Sequence, residues 1–252
     1  MNDVIDRARA LVDSELGQAP DVTRPTALRE ASSLAGRIDH TLLGAATTAE
    51  QVRQLCHEAR QHGFASVCVN SRWVPLACAE LADSPVMTCC VVGFPLGAMS
   101  REAKAAEAFM AIDAGADELD MVISVGDLKG GSLRAVLDDI RGVIVAARGR
   151  PVKVIIETCL LDDVEKAVAC LLAVRAGAAY VKTSTGMSTG GATAADVALM
   201  RAVVGDELGV KASGGIRSTA DALAMLEAGA DRIGASASIA IASGGSEGTT
   251  GY

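Results

Sequence analysis

Lys182 sits in the stretch Tyr180-Val-Lys-Thr-Ser-Thr-Gly-Met187, and Lys211 in Gly209-Val-Lys-Ala-Ser213, one strand-and-helix repeat later. Each ammonium group falls in a short apolar run of the kind that enters a buried β-strand. Neighbouring strands lie ~4.8 Å apart, so two inward lysines at this spacing place their charges within several ångströms. A second cation and a low-polarity wall both disfavour protonation. A lysine with pKa ~10.4 is a free amine in only about one molecule in 2,500 at pH 7. Raising that fraction makes a nucleophile suited to a Schiff base with a carbonyl. Asp120, between leucine and methionine in "ELDMVI", supplies a carboxylate that can move the α-proton directly or through water. Lys153 and Glu157 lie on a further strand. The competing reading is a structural network in which the lysines pair with Asp120 and Glu157. Two or three lysines on consecutive strands beside an aspartate favour catalysis over that network.

Two small-residue turns suggest what the amine acts on. "KASGGIRST" places Gly214 and Gly215 before a helix opened near Ser218, and "RIGASAS" places Gly234 and Ser236 at a matching junction. Backbone N–H groups at such turns approach anions closely. A Gly-Gly pair alone is an ordinary turn; both turns at equivalent positions favour a phosphorylated ligand. His40, His57 and His62 form no ligand cluster, and the seven cysteines contain no CxxC pair. Neither a metal nor a cofactor is expected. Cys68 on the second strand reads first as buried packing.

The elements that must carry these residues follow a repeat. Helical stretches open at capping residues, Thr47 with Glu50 or Asp162 with Glu165, and stop at Gly63, Gly115, Gly177 and Gly229. A short apolar run follows each glycine, and "AGADELDMV", "AGAAYVKTS" and "AGADRIGAS" share wording there. Strands are expected at 38–42, 66–70, 87–93, 118–123, 152–158, 179–184, 209–213 and 232–235. Eight strands alternating with helices predict an α/β fold, a (β/α)8 TIM barrel, with its site at the C-terminal strand ends. An open doubly wound sheet is the alternative. Residues 1–36 form an N-terminal helical extension, with an apolar stripe of Val4, Ile5, Ala8, Leu11 and Val12 packing against the barrel bottom. Residues 37–243 form the barrel, and 244–252 a flexible C-terminal tail ending in Tyr252.

A net charge of −8 argues against nucleic acid as a partner, and no run is apolar enough for a membrane span. Unpaired thiols and an acidic N-terminus fit a cytoplasmic protein.

With these motifs assembled, "IDHTLL", "VVGFPLGA", "KVIIETCLL", "YVKTSTGM" and "VKASGGIRS" resemble the deoxyribose-phosphate aldolase family from about residue 38 onward. The resemblance implies a metal-independent class I lyase that forms a Schiff base on Lys182. It would reversibly cleave 2-deoxy-D-ribose 5-phosphate, a deoxyribonucleotide breakdown product, to acetaldehyde and D-glyceraldehyde 3-phosphate. Asp120 and Lys211 would transfer protons and tune the amine. Asp39, Thr41, Cys68 and Lys153 would surround the pocket, and Gly186, Gly214, Gly215, Gly234 and Ser236 would approach the phosphate, with Thr185 turning the chain beside the substrate. Some members end in a tyrosine that assists proton transfer, which Tyr252 matches. Met187 and Ala237 depart from relatives carrying lysine and serine there, removing potential phosphate donors. Other readings are a Schiff-base lyase for a different phosphorylated sugar and a non-catalytic sugar-phosphate-binding barrel. The sequence allows a homo-oligomer.

Overall fold

The computed structural model describes residues 1–17 and 33–245. Residues 18–32 of the expected N-terminal extension and the Tyr252 end of the expected tail lie outside the described residues. Strands β1 (Ile38–Leu42), β2 (Ser66–Val69), β3 (Met87–Val92), β4 (Glu118–Val122), β5 (Val152–Ile155), β6 (Tyr180–Lys182), β7 (Gly209–Ser213) and β8 (Arg232–Ala235) close in chain order into one parallel barrel. Closure between β1 and β8, with Asp39 opposite Gly234, excludes the open sheet.

Outside the strands run α1 (Asn2–Leu16), α2 (Ala49–His62), α3 (Val74–Glu80), α4 (Arg101–Asp113), α5 (Val125–Lys129), α6 (Leu133–Ala146), α7 (Asp163–Ala176), α8 (Ala194–Val204), α9 (Thr219–Glu227) and α10 (Ser238–Ala242). Asp162 and Glu165 form the expected capping box at α7, but at α2 the box is Thr48 with Gln51, one residue beyond the expected Thr47 and Glu50. The apolar stripe of α1 buries Ile5, Ala8 and Val12, with Leu11 half exposed. The helix packs along α7 and α6, on the outer helical layer rather than across the barrel bottom. Arg175 of α7 secures it through the Asp13 carboxylate and the Gly17 carbonyl.

Side-chain alternation on the strands divides the protein into two interiors. Outward residues such as Val67, Val69, Leu119, Met121, Val154, Val181, Val210 and Ile233 pack beneath the helices as the main apolar core. Each such side chain stabilises the fold by roughly 1.5–3 kcal/mol. The charged members of the inward set are Asp39, Glu118, Asp120, Lys153, Lys182, Lys211 and Arg232, none more than 6% exposed. Barrel interiors are ordinarily filled by branched aliphatic residues, and here Leu43, Cys68, Cys89 and Val91 form a small apolar cluster beside the charges. Gly209 is required by this crowding: a Cβ there would come within 2.2 Å of the Tyr180 ring. The hydrophobic layer between strands and helices holds the barrel, which leaves its interior free to carry charge.

Candidate active site

β6 and β7 pair in register with Lys182 opposite Lys211. Asp120 reaches them from β4: its Oδ2 lies 2.7 Å from Lys182 Nζ and 2.7 Å from Lys211 Nζ. The two ammonium groups are therefore no farther apart than twice that distance. Asp120 Oδ1 accepts from Lys153 Nζ at 3.0 Å and from the Cys89 thiol at 3.2 Å. One carboxylate thus serves three lysines.

A second tier supports the first. Lys211 Nζ also lies 2.5 Å from Asp39 Oδ2, whose Oδ1 accepts from Ser66 Oγ at 2.8 Å and from the Arg232 guanidinium. Arg232 and Lys153 both reach Glu118, at 3.1 and 2.6 Å. The carboxylate completing the network is therefore Glu118, two residues before Asp120 on the same strand face. The Glu157 pairing considered from sequence is not formed. Arg232 and Glu118 went unnoticed in the sequence because each begins its strand, where charged residues are ordinary. The available signal was period two, Glu118 to Asp120 and Arg232 to Gly234.

Burial works against charge on Asp39, Asp120, Lys153, Lys211 and Arg232, and the ion pairs decide the outcome. For Asp120 burial raises the pKa, but Lys153, Lys182 and Lys211 together hold it well below the usual carboxylate range. Asp39 is likewise lowered, against burial, by Arg232, Lys211 and Lys153. Burial lowers Lys153 and Lys211, yet their carboxylate neighbours leave both above the ordinary lysine value. Four cations face three carboxylates, so one proton can leave without stranding a carboxylate. Of the three strand lysines, Lys182 alone lines the cavity at the barrel mouth.

That cavity holds about 110 Å³ and is walled by Thr41, Thr185, Gly186, Gly214, Gly215, Gly234 and Ser236. Eight of the expected site residues, Lys182 included, thus converge on one space. Asp39, Cys68, Asp120, Lys153 and Lys211 lie beneath it, fully buried, and Tyr252 lies outside the described residues. Gly186, Gly214 and Gly215 have φ of 80°, 87° and 79°, which only glycine adopts without strain. At α9 the Asp221 carboxylate accepts the N–H groups of Arg217 and Ser218, so those two amides are spent on the helix cap, and the glycine turns at 186, 214 and 215 supply backbone to the cavity wall. Arg217 also lines it, bringing a positive charge that sequence reading passed over between the Gly-Gly turn and the helix cap.

Cys68, Cys89 and Asp120 could each offer an atom to one metal ion, their ligand atoms lying within 4.8 Å of one another. Three ammonium groups already claim Asp120 and would repel a divalent cation there.

A buried amine sharing one carboxylate with a second lysine, under a glycine-lined pocket, is the equipment of an aldol reaction by covalent catalysis. Residues 34–248 match the model of the DeoC/LacD family aldolases. The chain belongs to this family. Among its relatives, the deoxyribose-phosphate aldolase of Streptococcus suis strain 98HAH33 is 58% identical over 207 residues, covering 82% of this chain and 94% of that one. That of Halalkalibacterium halodurans is 58% identical over 214 residues, 84% and 96% of the two chains. A tetrameric deoxyribose phosphate aldolase from Aeropyrum pernix superposes with a TM-score of 0.79 at 35% identity over 96% of each chain. The similarity spans every strand that contributes to the cavity.

Proposed function

We propose that this enzyme reversibly cleaves 2-deoxy-D-ribose 5-phosphate to acetaldehyde and D-glyceraldehyde 3-phosphate through a Schiff base on Lys182. The observation that carries this reading is Lys182 at the cavity floor, sharing Asp120 Oδ2 with Lys211. The neutral Lys182 amine adds to the C1 aldehyde, and loss of water gives a protonated imine. A base then removes the C3 hydroxyl proton, and the C2–C3 bond breaks as its electron pair moves into the imine to give an enamine. D-Glyceraldehyde 3-phosphate departs. Protonation of the enamine carbon and addition of water release acetaldehyde and restore the amine.

Asp120 and Lys211 relay these protons, and Asp39 and Lys153 hold that pair in register. The phosphate meets the turns at Gly186, Gly214, Gly215 and Gly234, with Ser236 and Arg217 beside them. Cys68 packs below the reacting atoms, and Thr41 borders them. Tyr252 acts as a proton carrier from the C-terminal end; its deletion is expected to slow α-proton exchange more than it weakens substrate binding. An unchanged exchange rate would remove it from the mechanism. We further infer a cytoplasmic homo-oligomer, in keeping with seven cysteines free of disulfides. No described helix is long and apolar enough to cross a membrane.

Borohydride trapping with acetaldehyde, followed by peptide mass spectrometry, tests the central claim. The expected result is an ethyl adduct on Lys182; a different labelled lysine, or none, overturns it. Turnover is expected to persist in a chelator.

A further inference from the structure

Glu157 lies two residues past the end of β5, with φ 56° and ψ 66°. Side chains with a Cβ seldom adopt this left-handed region, and such conformations persist where the surroundings over-determine them. The side chain is 3% exposed and forms no ion pair with any described residue. Its Oε2 instead accepts from Thr185 Oγ1 at 2.5 Å, and both carboxylate oxygens face Thr185 N at 3.3 Å. Thr185 Oγ1 in turn accepts from Met187 N at 3.1 Å. One buried carboxylate therefore ties down the Thr185–Met187 turn from the neighbouring strand end. Thr185 and Gly186 of that turn wall the cavity.

A carboxylate this close to an anion site is electrostatically adverse, so its presence calls for a compensating role. The Thr185 hydroxyl proton points at Glu157, which leaves that hydroxyl committed to the turn instead of to a ligand. The left-handed backbone of Glu157 aims the carboxylate across the strand gap to the turn. We propose that Glu157 is a positioning residue: it preforms the Thr185–Met187 wall and so sets affinity for the phosphorylated end of the substrate, without touching the reacting atoms. Preforming a binding wall raises affinity by removing its ordering cost from the binding step. This inference rests on reading the cavity as a sugar-phosphate site.

The test compares 2-deoxyribose 5-phosphate with unphosphorylated 2-deoxyribose in the wild type, Glu157→Ala, Glu157→Gln and Thr185→Val. Charge-assisted hydrogen bonds of this kind correspond to roughly 10- to 100-fold in an equilibrium constant. In Glu157→Ala and Thr185→Val, KM for the phosphorylated sugar should rise by about that factor with kcat little changed. In Glu157→Ala, kcat/KM for the unphosphorylated sugar should stay near the wild-type value. Glu157→Gln, which keeps an acceptor for Thr185 N, should recover much of the loss. Equal losses on both sugars, or an unmoved KM, would overturn the proposal. If Glu157→Ala does not fold, Glu157→Gln decides: a KM for the phosphorylated sugar above the wild-type value with unchanged kcat/KM on the unphosphorylated sugar supports the proposal, and equal losses on both overturn it. A wild type that processes neither sugar sinks the active-site reading and this inference together. A wild type that prefers the phosphate, with variants that keep that preference, sinks this inference alone.

Discussion

Lys104 and Lys182 are both sealed almost completely from solvent and both meet an aspartate, yet their surroundings differ in charge balance and access. Lys104, on α4, donates to Asp139 Oδ2 at 2.6 Å and to the Val122 carbonyl at 2.9 Å. Its stem lies against Gly93, where a Cβ would meet the Lys104 Cε at 3.0 Å. Lys182 shares Asp120 with two other lysines and opens onto the cavity. The carboxylates register the contrast. Burial raises the Asp139 pKa, and its single lysine does not bring it back to the ordinary value. Burial raises Asp120 too, but three ammonium groups overcome it and hold the group far below that range. A buried lysine is thus not by itself a nucleophile. The proposed mechanism asks for a buried lysine where cations outnumber carboxylates and a cavity admits the electrophile, and Lys182 has both.

The largest expected effect separates the two lysines by function. Lys182→Met should lower kcat/KM by at least ~10⁴-fold, with an unfolding midpoint equal to or above that of the wild type. Lys104→Met should leave kcat near wild type but strand Asp139 as an uncompensated buried charge, costing about 3–5 kcal/mol. Adding Asp139→Leu should recover most of that loss. Steady-state kinetics and urea unfolding on the three proteins check both halves. A Lys104 variant with normal stability and poor turnover would break the comparison.

Asp120→Asn comes next. It removes the acceptor shared by Lys182 and Lys211 while preserving shape, and a lost proton-transfer group costs roughly 10²–10⁴-fold in rate. The expected signature is a fall in kcat with borohydride trapping still on Lys182, because the amine remains in place. Migration of the adduct to Lys211 would show that Asp120 selects which lysine reacts.

How much of this was legible depended on whether the deciding contact was local. Lys182, Lys211 and Asp120 stood out because a charge in an apolar strand breaks a pattern that repeats through the chain, and the repeat fixes which strands are neighbours. The barrel followed from the same repeat. Arg232 reaching Glu118 was not legible, since the two are joined only when β8 and β4 face each other across the closed interior. The pairing of Glu157 with the lysines, weighed from sequence as the competing network, does not form for a related reason. Sequence showed a carboxylate and a lysine on one strand, but not the left-handed turn of backbone that sends Glu157 toward Thr185. Arg217 was hidden by its position inside a turn whose glycines seemed sufficient. At α2 the cap moved by one residue because threonines 47 and 48 are equally good caps; only the Gln51 side chain, returning to the Thr48 backbone, chooses between them.

The smallest effect is thermodynamic and turns on the opposite pKa shifts of the two aspartates. A carboxyl whose folded pKa is depressed contributes stability above its unfolded value of ~3.9 and loses it as pH falls through the folded value. Asp120 is such a group. A carboxyl whose folded pKa is raised contributes most below ~3.9 and loses that contribution as pH climbs toward the folded value. Asp139 is of this kind. Between pH 3 and 6, the stability difference between wild type and Asp120→Asn should therefore widen with rising pH. The difference between wild type and Asp139→Asn should narrow. Each changes by at most ~1.4 kcal/mol per pH unit, the limit for one proton. Urea unfolding at half-unit pH steps resolves slopes of that size. Parallel slopes would mean that Lys104 alone governs Asp139 as completely as three lysines govern Asp120, and the distinction between a balanced pair and a cation-rich cluster would fail.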